Sequence, residues 1–181
     1  MFTNTLTALL AFAGAVTAYP SAKRATDNEV RIYAYGTGIS GMQIYRGTDG
    51  MAYIAPAETA NLTELIWQTP SVSSEWNATT MENGTSTTDS SAAFYIVTAS
   101  NSYVPCGFKS SNTTAPTGAT MTGFTTFGSQ IVWVNGSNYQ SQFWAKTTDT
   151  DNVYTLNWNV DGANQADSVP VTVKTVAPSS A

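Results

Sequence analysis

In a chain of 181 residues without a single histidine, the side chains suited to chemistry are carboxylates, aromatic rings and amides. Glu58, Glu64, Glu75 and Glu82 are the types from which a glycosidase draws its acid and its nucleophile or base. Spacing alone does not show that any two of them converge on a cleft, and acids in a polar stretch ordinarily form a solvated face. The lack of histidine removes the Ser-His-Asp and Cys-His schemes and most metal sites. Asp149-Thr150-Asp151-Asn152 has the look of a calcium loop but lacks the glycine and the later glutamate that complete one, and it reads as a polar hairpin turn. Cys106 stands alone between Pro105 and Gly107, so no intrachain disulfide forms, and it reads as a buried, passive thiol. No catalytic residue, metal or cofactor is assigned, and an enzyme is not expected.

The aromatic residues are more suggestive. Trp67 and Trp133 lie in apolar runs and belong to a core. Trp76, Tyr139 and Trp144 lie in polar surroundings, the latter two among Asn138, Gln140 and Gln142. A ring flanked by amides suits sugar recognition, with C–H faces stacking on the ring and hydroxyls pairing with the amides. Asn135-Gly136 between apolar runs signals a hairpin. Beyond it, alternation sends Phe143 and Ala145 to a core and leaves Gln142, Trp144 and Lys146 on a polar face. The expected contact surface is therefore Trp144, Trp76 or Tyr139 with Asn138 or Gln142 beside the ring. Its partner would be a polysaccharide or glycan, or alternatively an extracellular protein.

Five Asn-x-Ser/Thr sequons begin at Asn61, Asn77, Asn83, Asn112 and Asn135. They gain meaning from the first residues of the chain. An apolar run from Leu9 to Val16 is too short to span a membrane, and Val16 and Ala18 fit the small-residue positions before a signal-peptidase cut. Residues 1–18 read as a signal peptide and residues 19–24, ending in Lys23-Arg24, as a short pro-segment. Residues 25–176 then form one β domain and 177–181 a flexible tail. The expected location is extracellular or on a cell wall, with no membrane span.

The formal net charge is −5 and only 10% of residues are charged, so phosphate backbones are poor partners and nucleic-acid binding is not expected. The 42% hydrophobic content supports a packed core. What positions the candidate residues is a succession of short strands. Val30-Arg31-Ile32-Tyr33-Ala34-Tyr35 alternates with period two, as do 153–160 and 169–173, and further strand-like runs lie at 42–45, 51–54, 62–68, 94–97 and 130–134. Gly36-Thr37-Gly38 and Gly47-Thr48-Asp49-Gly50 read as turns, and 69–91 as a long exposed loop. Many short strands with no helical period imply an antiparallel β-sandwich, or alternatively a small barrel or partial propeller-like module.

The leader, Lys23-Arg24, the sequons, and the segment from Val30-Arg31-Ile32-Tyr33-Ala34-Tyr35-Gly36 through Gly50-Met51-Ala52-Tyr53-Ile54 together resemble small secreted glycoproteins of filamentous fungi. That group includes cell-wall, lectin-like and host-directed effector proteins. The resemblance implies action by surface contact and carries over no functional residue.

Overall fold

A computed structural model describes residues 29–82, 85–86 and 91–179. The leader with Ala18, the Lys23-Arg24 site and the Asn83 sequon lie outside the described residues. The strands, in chain order, begin with β1 (Glu29–Val30), β2 (Tyr33–Gly36), β3 (Ile39–Gly47), β4 (Ala52–Ala55), β5 (Leu62–Gln68) and β6 (Asn77–Glu82). There follow β7 (Thr85–Ser86), β8 (Ala92–Val97), β9 (Tyr103–Pro105), β10 (Gly107–Lys109), β11 (Ala119–Thr120) and β12 (Phe124–Phe127). The last are β13 (Gln130–Asn135), β14 (Asn138–Gln140), β15 (Phe143–Thr147), β16 (Tyr154–Asn159) and β17 (Ser168–Lys174). No helix occurs among the described residues, and so none is long and apolar enough to cross a membrane.

The fold is all-β and antiparallel, a closed barrel with extra strands rather than a sandwich. The ring β2–β3–β4–β16–β15–β17 returns to β2 and closes six strands, with further strands attached. Closure depends on β17 lying along β2, from Val171 opposite Gly36 to Lys174 opposite Tyr33. Alternation along a strand reports that one face is covered; it does not report which edges meet, so the choice between sandwich and barrel is made by long-range pairings, that of β17 with β2 and that of β4 with β16. The first alternating run is divided at Arg31-Ile32. Glu29 and Val30 pair with Gln68 and Trp67 of β5, while Tyr33 onward enters the barrel.

A second group of strands, β1, β5, β6, β7, β8, β10 and β11, is linked to the barrel where β3 meets β5. Its inward residues join the barrel residues in one core. Trp67 stacks edge-on against Phe94 and Phe108 at 5.0 and 5.2 Å, and Ile32, Ile44, Leu156, Trp158 and Val173 belong to the same cluster. Edge-to-face contacts of this kind add to the burial of each ring.

The expected long loop over 69–91 is corrected here, since it contains β6, which pairs with β5 from Asn77 to Met81 and with β8 at Asn77 and Ala78. Asn77-Ala78-Thr79-Thr80 looks like loop by composition, but threonine favours strands, and Trp76, Ala78 and Thr80 alternate into the core. Residues 177–179 lie against the barrel, with the Pro178 ring over Gly41 and Val176 O accepting from Tyr35 Oη at 2.7 Å.

Candidate functional site

The structure separates the residues expected to form a contact face. Trp76 is 1% exposed, packs 5.8 Å from Phe124 and leaves its Nε1 without an acceptor, so it is a core residue. Trp144 is 8% exposed, which corrects its expected place on a polar surface. Phe143 and Ala145 do face the core, as alternation requires, but the opposite face of β15 is also covered at Trp144, while Lys146 on that face is exposed. Trp144 lies between Asn157 of β16 and Pro170 of β17, with the Tyr103 ring edge-on at 6.5 Å. Tyr103 is held there by donating to Ser168 Oγ at 2.6 Å. Gln142 is half-buried and donates to the Val160 carbonyl at 2.8 Å, a structural tie between β15 and the end of β16.

Tyr139 alone among the proposed rings is exposed, at 65%. The Asn135-Gly136 hairpin forms, with Asn135 opposite Asn138 and Gly136 at φ 61°. Its central pair is Gly136-Ser137, and positive φ is needed only at Gly136. The hairpin stops at Gln140, and β15 turns away to pair with β16 and β17, which is why Tyr139 and Trp144 do not share a surface. Asn138 faces with Asn135, and Tyr139 with Val134 on the other side of the sheet, so Asn138 is not beside the Tyr139 ring.

What stands beside Tyr139 is Phe127, 74% exposed, its ring 6.4 Å away and tilted by 52°. Register puts Thr125, Phe127, Gln130, Val132, Val134 and Tyr139 on one face of the β12–β13–β14 sheet. Two exposed rings with an amide and a hydroxyl on a hydrogen-bonded hairpin can stack on an apolar face and pair with hydroxyls. The partnership of Phe127 with Tyr139 joins residues across β13 and has no local signature.

Two clefts flank the 56–61 connection on the outside of the barrel. The larger, about 610 Å³, is lined by Gln43, Tyr45, Glu58, Glu64 and Met81 among others. Thus Glu58 and Glu64 do meet one cleft, whereas Glu75 lines neither and the Glu82 side chain lies outside the described residues. The Glu64 carboxylate accepts from Arg31 Nε at 2.6 Å and from Gln43 Nε2 at 3.4 Å. Burial, with Glu64 nearby, pushes the Tyr45 hydroxyl above its ordinary pKa. The second cleft, about 360 Å³, lies among the turns 47–49, 59–61 and 148–150. There burial and then Asp49, whose Oδ2 accepts from Tyr53 Oη at 2.8 Å, push the Tyr53 pKa up to about 12.

Among the described sequons, Asn61, Asn112 and Asn135 are exposed, in or beside turns, while Asn77 opens β6 between Gln68 and Ala93 and is half-buried, a correction to its expected loop position. Cys106 is fully buried, and burial pushes its thiol far above the ordinary range. The 149–152 segment is an exposed turn with Asn152 at φ 59°. No group of three or more His, Cys, Asp or Glu that could hold a metal ion occurs among the described residues. No protein-family model, curated protein or solved structure matches this chain.

Proposed function

We propose that the chain is a secreted, N-glycosylated barrel protein of the small fungal glycoprotein kind that acts by surface contact with carbohydrate, as of a cell wall, without catalysis. The observation that supports the binding reading is the exposed Phe127–Tyr139 pair, with Gln130 and Thr125 on the same face. Contiguous exposed apolar surface rimmed by polar residues marks interaction sites. The leader and the sequons support the extracellular setting.

The test is co-sedimentation of the secreted chain with insoluble glucan, chitin and mannan, alongside Phe127→Ala, Tyr139→Ala and the double variant. Retention of the native chain on at least one polysaccharide is expected, with affinity lowered about ten- to hundredfold in the double variant and Tm unchanged. Retention unaffected by the double substitution would remove this face from the reading. Failure of the native chain to bind any polysaccharide would favour an extracellular protein as partner.

A further inference from the structure

We propose that the cleft among the turns 47–49, 59–61 and 148–150 seats the chain's own N-glycan, carried by Asn61. This rests on the secreted, glycosylated reading but concerns a surface other than the Phe127–Tyr139 pair.

Asn61 itself lines the cleft. It is exposed at φ 62°, in a turn closed by Leu62 N donating to Thr59 O and by Thr59 Oγ1 donating to Pro56 O at 2.8 Å. A turn fixed in this way, just before Leu62 enters β5, gives a sugar attached at Asn61 a set direction of departure. The apolar surface of the cleft is Tyr53, Leu62 and Val153. Tyr53 lies close over Gly47, where an added Cβ would come within 2.5 Å of the ring, so the ring is fixed before anything binds. Around it stand Thr48, Asp149 and Thr150, whose side-chain oxygens, like the Asn61 amide, hold no hydrogen bond to the described residues. Aromatic floor and polar rim together match the first N-acetylglucosamine units, which present an apolar ring face bordered by hydroxyl and acetamide groups. The volume, about 360 Å³, falls within the range of small-ligand sites.

The occupant is tethered, so its effective concentration at the cleft is high and even modest contacts hold it. Asn112 and Asn135 line neither of the two clefts beside the 56–61 connection, so their glycans serve as internal controls on the same molecule.

The experiment uses the full chain secreted from a eukaryotic host, with timed native endoglycosidase digestion read by site-resolved glycopeptide mass spectrometry. Release at Asn61 is expected to be about tenfold slower than at Asn112 and Asn135, as for a site that must open before it is attacked. The three rates should converge after denaturation. Tyr53→Ala should abolish the difference. The exposed Asp149→Ala should narrow it without touching the core. Asn61→Gln should lower Tm, whereas Asn112→Gln and Asn135→Gln should not. Equal native rates at three occupied sites, an unoccupied Asn61 beside occupied Asn112 and Asn135, or a difference that survives denaturation would each overturn the inference while leaving secretion intact. Absence of glycan from all three would overturn the secreted reading as well.

Discussion

Trp144 and Cys106 show how a residue's neighbours across the sheet determine its role. Trp144 has the spacing of an outward residue on β15, yet Tyr103, Asn157 and Pro170 cover it. Trp144→Ala should therefore destabilise the chain by ~3–5 kcal/mol, as for other large-to-small changes at buried sites, which a denaturant titration measures. A loss of sugar binding at unchanged stability would contradict this assignment. Cys106 has its backbone N–H on Leu156 O and its carbonyl on Ala52 N, and its thiol is buried and held protonated. Labelling by a thiol reagent should be slow in the native chain and fast in denaturant. A disulfide-linked dimer on a non-reducing gel would contradict it. Burial of Cys106 agrees with a reading made from its type and neighbours alone, because a lone cysteine in an apolar context packs as a small hydrophobe.

Among the elements, the β3–β4 hairpin couples chemistry to its turn. Asp49 Oδ1 accepts from Met51 N–H while Oδ2 accepts from Tyr53 Oη, so one carboxylate holds both the turn and the ring. The folded-state pKa of Tyr53, about 12, exceeds the unfolded value, so its contribution is present below ~10 and is lost as pH rises through 12. Between those limits the unfolded chain releases the proton and the folded chain keeps it. Thermal stability of the native chain should accordingly fall more steeply across this window than that of Tyr53→Phe, which melting curves at stepped pH will compare. Parallel slopes would show that the Tyr53 hydroxyl, whose pKa is raised first by burial and then by Asp49, does not govern the alkaline limit. The β13–β14 hairpin was legible from Asn135-Gly136. The departure of β15 from that hairpin was not, because β15 finds its partners in β16 and in β17, which follows later in the chain.

For the whole molecule, the exposed positions of Asn61, Asn112 and Asn135 and the proposed processing sites at Ala18 and Lys23-Arg24 lead to one measurement. The secreted chain should begin at Ala25 and carry glycans at these three sequons, as intact mass before and after deglycosylation will report. A start at Tyr19 would remove the pro-segment and keep the signal peptide. Material secreted without any change in mass on deglycosylation would contradict the surface assignment.

Strand identity was readable because it is local. Leu62–Gln68 and the glycine turns at 36–38 and 47–50 appear where alternation and turn residues place them. Polar composition hid β6, whose threonines pair as well as they hydrate. Closure of the barrel, the covering of Trp144, the withdrawal of Trp76 into the core and the meeting of Phe127 with Tyr139 depend on residues distant in sequence coming together. A side chain's period along its own strand says which face it takes, and only the tertiary structure decides what lies against that face.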